Sequence, residues 1–377
     1  MKEKIQKFTT EHIPLLEKTL EELVQIPAPS YAEEKRRKYC ERWLEQFEIE
    51  YKIDKKGNLF VPYQQKEGKE NIMFLAHMDT VFKETVPLDV KKQGDIWKCP
   101  GIGDNTVNVV LMLLLAKFLK EYQPCFQKGI YLALDTCEEG LGNLAGSRQL
   151  MQDHAQRLSG VIAFDLYRDK IYTGCIGSLR YEITAWTPGG HSFLDFGMPN
   201  AIEVLTQLLT QLYQYRPIPC TTYNVGIIRG GTSVNTIAQE ASMLFEYRSD
   251  SAGELKKCRA YLEKCLTQVS KRQGVRIQCK TVGERPCMEK ADEKKIESMA
   301  CICRKKLKEA TGILPEAAKA STDCNIPLSL GIPSVCVGFF RGGKAHTTEE
   351  WIDMSTANSA LNAALDIMTT LGNWSGK

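Results

Sequence analysis

At 377 residues, with 43% hydrophobic and 25% charged side chains, the chain has the balance of a folded globular protein large enough for two domains. Its formal charge of +3, with no long block of like charges, excludes a nucleic-acid role and a polybasic membrane role, and leaves small or medium substrates as the expected partners. The opening "MKEKIQKFTTEHIPLLEKTL" lacks the apolar run of a secretory signal, and "VVLMLLLAKFL" from Val109 is too short to cross a bilayer. Fourteen cysteines scattered singly through apolar segments fit reduced core thiols, so a cytoplasmic protein is expected.

Helical spacing runs over 9–26 and 31–46, followed by apolar strand runs at 59–61, 72–76, 130–134, 161–164 and 334–339. Between and after them lie helix-like stretches at 106–122, 143–152, 292–310, 322–330 and 355–371. Strands and helices alternating in this way predict an α/β domain with a mostly parallel central sheet, buried on both faces and flanked by helices. The middle differs: strand 179–187, helix 199–214, strands 221–229 and 238–248, helix 253–272 and strand 274–282 follow the order βαββαβ. That is a ferredoxin-like α+β unit. The expected organisation is a catalytic domain of 1–178 and 288–377 interrupted by a lid or dimerisation domain of 179–287.

Ligands of parallel α/β sheets bind at the carboxyl ends of strands. His77 and Asp79 end the strand in "IMFLAHMDTVF", where residues two apart share a face. Asp104 precedes the most apolar helix, Glu138 and Glu139 follow "IYLALDTC", Asp165 ends "VIAFD", and His346 follows "SVCVGFFRGGKA". Taken singly, Asp104 is a helix N-cap, the glutamates a solvated turn and the histidines packing or surface residues. Their coincidence changes the reading, because two of only five histidines join these acids at strand ends.

Histidine and carboxylate ligands in this ratio suit zinc or a similar divalent ion, with cobalt and manganese also accommodated. Three acids and two histidines are too many for one tetrahedral ion with an open position. Two ions, roughly 3.5–4 Å apart with a bridging carboxylate, use them all. Two divalent charges balance Asp104, Glu139, Asp165 and one hydroxide, which leaves Glu138 free to take a proton from water. His12 and His154 are expected at the surface.

The segments HMDTV, GIGDN, CEEG, the strand-terminal Asp165, PGGHS, GGTSVNTIA and AHTTEEWI occur in an order that resembles the co-catalytic di-zinc exopeptidases and deacylases. That family includes peptidase T, glutamate carboxypeptidase, aminoacylase and succinyl-diaminopimelate desuccinylase, and the peptidase T-like members are the nearest in pattern. The resemblance implies that His77 and Asp165 hold one ion, Glu139 and His346 the other, and Asp104 bridges them. It makes Asp79 the residue that aims the His77 ring and Glu138 the general base. It also implies that Asn235 and Arg248 grip a substrate carboxylate, and that His191 reaches the active site of a partner in a homodimer. The family has a second acid after the bridging aspartate, where this chain has Asn105, and places a cis peptide there. A cis Asp104–Asn105 bond is therefore expected.

The expected activity is hydrolysis of an amide bond in a small peptide bearing a free carboxylate, by a metal-bridging hydroxide with Glu138 as base. An N-acyl-amino-acid deacylase uses the same chemistry. A metal-free, non-catalytic binding homologue is the alternative from outside the enzyme class.

Overall fold

A computed structural model describes residues 1–289 and 292–375. The chain forms two compact units, one of Met1–Cys175 together with the segment from Glu289 onward, the other of Ile176–Met288.

The first unit is built on an eight-stranded sheet. Its order is Lys52–Ile53, Leu59–Tyr63, Gly129–Asp135, Asn71–His77, Leu158–Phe164, Ser334–Val337, Lys170–Cys175, Glu316–Ala320. The four middle strands from Gly129–Asp135 to Ser334–Val337 run parallel, so their carboxyl ends share one rim. Every residue of Asn71–His77 and of Gly129–Asp135 is buried, as expected for strands covered on both faces. Helices Lys2–Val24, Val107–Tyr122, Glu293–Thr311 and Ala357–Leu371 supply the cover.

Val107–Tyr122 is mostly apolar and buried from Val107 to Leu119, which makes it the central helix of this unit. With the preceding turn it forms a 21-residue segment, Ile102–Tyr122, apolar and long enough by composition to cross a bilayer. The expectation that this stretch is too short is therefore corrected; its burial inside the unit marks it as a core helix. Capping fixes the ends of other helices: Asp292 accepts the Lys295 amide, and Gly312 takes the left-handed conformation (φ 75°) that closes Glu293–Thr311.

The inserted unit has a four-stranded antiparallel sheet in the order Thr221–Gly230, Glu240–Ser249, Gly177–Trp186, Arg276–Arg285. Helices Ala201–Leu212 and Ala252–Val269 pack on one face. Its strands alternate: Ala241, Met243, Phe245 and Tyr247 point into the core while their neighbours are partly exposed. Ala201–Leu212 answers with Val204, Leu205, Leu208 and Leu212 on one stripe, and Asn200 caps its start by accepting the Ile202 amide.

Short polar elements escaped the periodicity reading. They include Lys170–Cys175 and Glu316–Ala320 at one sheet edge, and a small sheet of Gly342–Gly343, Trp351–Asp353, Ile96–Lys98 and Lys91–Gln93. The helix expected over 322–330 is only Asn325–Ser329. His12 and His154 are half-buried rather than surface residues: His12 stacks on Phe8 at 4.0 Å, and His154 packs against Phe60 and Tyr131.

Candidate metal centre

All seven residues from His77 to His346 singled out at strand ends belong to the first unit. His77 is the last residue of its strand and is 1% exposed. Its Nδ1–H donates to the Asp79 carbonyl at 3.0 Å, which turns Nε2 towards Asp104 Oδ1 at 3.3 Å and Asp165 Oδ1 at 3.6 Å. That buried Nε2 makes no hydrogen bond. On the opposite side His346, in a left-handed conformation (φ 65°), places Nε2 3.1 Å from Asp104 Oδ2 and 3.0 Å from Glu139 Oε1. The two oxygens of Asp104 are thus divided between the two histidines, and each histidine has one further acid.

Charges in this cluster govern one another. Burial pushes Asp104 up, but His346 and His77 outweigh it and hold the carboxyl well below the usual range. Burial and the Asp104 charge push Glu139 and Asp165 up. Hydrogen bonding to Asp104 and Glu139 pushes His346 up to about 11, against its burial. So dense a group of acids calls for positive charge at its centre.

A divalent ion fits this place. Ligand atoms of His77, Asp104 and Glu139 lie within 4.8 Å of one another, and His77 offers an unpartnered buried nitrogen. The donor set is nitrogen and carboxylate oxygen, the set that zinc and similar ions take.

The role expected for Asp79 is refined by its contacts. Its carboxylate stands 3.5 Å from His77 Nδ1, so the ring is aimed chiefly by the Asp79 backbone carbonyl. The same carboxylate accepts the backbone amides of Glu138 and Glu139, both at 2.9 Å, and the Ser30 hydroxyl at 2.6 Å. Asp79 therefore anchors the turn that carries both glutamates.

Asp104 sits in the irregular turn Ile102–Thr106, and the Asp104–Asn105 peptide is cis, as expected. Asn105 has a use that an acid could not serve. Its side-chain amide donates to the Phe164 carbonyl at 2.8 Å, next to Asp165, and its oxygen accepts from Asn108 at 2.6 Å.

Several supporting residues carried no sequence signal that distinguished them. Arg36, 1% exposed, donates to the carbonyls of Ile26 and Met78 and to Thr106 Oγ1, and so ties the His77–Asp79 segment to the start of the central helix. Glu350, fully buried, accepts the amides of Gly101, Gly103 and Asp104. Asp135 and Asp323 form a buried carboxyl pair.

The remaining candidates lie in the inserted unit. His191 is exposed, and its Nδ1 accepts the amides of Phe193 and Leu194 at 3.2 and 3.4 Å, which places the ring proton on Nε2. Asn235 is its neighbour, accepting the Ser192 amide through its carbonyl at 3.0 Å. Arg248 is not. The ladder pairs Gly190 with Ile237 and Glu240 with Trp186, and Arg248 lies eight residues further along, opposite Ser178. At about 3.4 Å per residue that is roughly 27 Å. Within a single chain the two therefore stand apart, and Arg248 bonds Glu246 at 3.1 Å.

Comparisons with known proteins bear on the fold and on the class of the protein. Residues 58–176 match peptidase family M28, and residues 174–273 match the peptidase dimerisation domain of the M20 type. A Pyrobaculum aerophilum protein provisionally named a LysW-lysine/LysW-ornithine hydrolase is 24% identical, over 94% of this chain and 96% of its own. A Mycobacterium tuberculosis protein, provisionally named a succinyl-diaminopimelate desuccinylase, is 23% identical over 90% of this chain and 94% of its own. The crystal structure of a Staphylococcus aureus tripeptidase superposes with a TM-score of 0.77 at 20% identity, covering 95% of this chain and 98% of that one.

The protein is a metal-dependent hydrolase of the peptidase and amidohydrolase class. Within that class, the chain is similar to the co-catalytic metallopeptidases.

Proposed function

We propose that the chain hydrolyses an amide bond in a small peptide bearing a free carboxylate, at a centre for two divalent ions. The carrying observation is the Asp104 carboxylate, whose two oxygens stand 3.3 Å from His77 Nε2 and 3.1 Å from His346 Nε2. In this reading His77 and Asp165 would hold one ion and Glu139 and His346 the other, and Asp104 would serve both. Zinc is the first choice, with cobalt and manganese admitted by the same donors.

When bound, such ions polarise a carbonyl and lower the pKa of water towards about 7. The protein's own contribution is positional and protonic. Glu138, 4% exposed and fixed through its backbone amide to Asp79, receives the proton of the attacking water and returns it to the leaving amine. His191, with its proton on Nε2, donates to the oxyanion of a partner chain's substrate, so the working form is a homodimer. The match of residues 174–273 to a peptidase dimerisation domain supports this reading. Since Asn235 and Arg248 lie far apart in one chain, a given carboxylate meets only one of them from that chain, and the Arg248 guanidinium is the stronger partner.

Removal of an acyl group from an N-acyl amino acid is the second reading, favoured by the desuccinylase relative. The fourteen cysteines form no disulfide among the described residues, which supports a reducing compartment such as the cytoplasm. The test is turnover of a dipeptide, tripeptide and N-acyl-amino-acid panel by protein reconstituted with zinc or cobalt. Hydrolysis of peptides but not of acyl amino acids supports the peptidase reading, the reverse supports the deacylase, and no hydrolysis of either contradicts both.

A further inference from the structure

Glu350 is 0% exposed, and its carboxylate is filled by protein donors. Oε2 accepts the Gly101 amide at 2.6 Å, while Oε1 accepts the amides of Gly103 at 2.9 Å and Asp104 at 2.7 Å. These are three donors of the turn that presents Asp104. The Tyr167 hydroxyl donates to the same Oε1 at 3.2 Å.

Tyr167 follows Asp165 by two residues, and its ring has little freedom. A methyl group on Gly103 would meet its Cε1 at 2.7 Å, and one on Gly342 would meet it at 2.5 Å. The ring thus lies against two glycine backbones that leave it one position. Glu350 is also joined to His346 by a short rigid segment: its amide bonds the Thr347 carbonyl at 3.2 Å, and the Thr347 amide bonds that of Lys344 at 3.2 Å. One carboxylate therefore connects three segments that are remote in sequence, those carrying Asp104, Asp165 and His346.

We propose that Glu350 is the positioning residue of the centre, setting Asp104, Asp165 and His346 at the mutual spacing that two divalent ions require. This rests on the two-ion reading above. Glu350 touches neither substrate nor ion in this account; it acts through the backbone it holds. A merely structural acid would stabilise the fold without tuning the ligand geometry.

The experiment titrates metal-stripped protein with Co2+, following heat by calorimetry and ligand geometry by the visible spectrum. Glu350→Gln keeps the size and one acceptor but sets an NH2 group against the Gly101 amide. It is expected to weaken Co2+ binding by about 10–100-fold, the usual cost of losing a partner that orients ligands. The Co2+ spectrum changes, and kcat falls more than KM rises. Tyr167→Phe, which loses only the hydroxyl, gives a smaller change in the same direction, and Glu350→Asp restores part of the affinity. Should Glu350→Ala fail to fold, the Gln and Phe variants carry the test, with circular dichroism confirming their folds. Wild-type affinity and spectrum in folded Glu350→Gln overturn this inference alone. A wild-type protein that binds no Co2+ overturns the functional reading and this inference with it.

Discussion

The Asp79 carboxylate accepts the backbone N–H of Glu139 at 2.9 Å, and through its other oxygen that of Glu138 at the same distance. An aspartate at the end of one strand therefore fixes the turn after the neighbouring strand, where a proposed ligand and the proposed base stand side by side. Asp79→Asn presents an NH2 group to one of two donors and breaks that arrangement. Turnover should fall about 10–100-fold. Steady-state kinetics alongside metal analysis check it; unchanged kcat would show that the turn holds itself.

Asn105 donates to the Phe164 carbonyl, so placing there the acid that the family resemblance leads one to expect should harm this chain. Asn105→Asp removes the donor and sets a carboxylate oxygen against a buried carbonyl. The expected loss is about 1–3 kcal/mol, read from urea unfolding. A variant as stable as the parent would mean that the neighbouring hydrogen bonds rearrange at no cost.

Gly103 has no room for a side chain, since a Cβ would lie 2.7 Å from the Tyr167 ring and 3.0 Å from Glu350. Gly103→Ala should destabilise the protein by about 1–3 kcal/mol through overpacking. Pairing it with Tyr167→Ala, which empties the space, should recover part of the loss. Equal additive losses in the double variant would contradict the clash.

Burial pushes the Asp135 carboxyl up to about 7, with His77 and the hydrogen bond to Asp323 opposing and the Asp79 charge adding to the rise. The folded-state value stands above the ordinary 3.8, so the native state holds a proton that the unfolded chain releases. Stability from that proton is fully present below the unfolded value and is lost as pH rises through about 7. Urea unfolding of metal-free protein across this window should show stability declining, and Asp135→Asn should flatten the decline. The same slope in both proteins would sink this assignment.

The strands carrying the centre were legible because they are unbroken apolar runs that end in polar residues, as "IMFLA" ends in His77. Asp104 was legible by its place before an apolar helix, and His346 by its scarcity as one of five histidines. Glu350 was not, since in "TTEEW" nothing separates a buried acid holding three amides from its exposed neighbour Glu349. Arg36 lies in "EEKRRKY", where the pattern is that of a solvated helix face, yet it is buried against Met78 and Thr106. Periodicity reports burial averaged over an element and misses the single charged residue whose partners come from elsewhere in the chain. The same limit hid the separation of Asn235 from Arg248: thirteen residues apart in sequence says little until the strand between them is seen to be extended.

The central claim is tested most directly by Glu138→Gln in protein reconstituted with zinc, assayed together for metal content and for turnover of the best substrate in the panel. The account predicts two ions per chain in parent and variant alike, and turnover lost by at least about 100-fold in the variant alone. Near-parental turnover with the metal retained would contradict it.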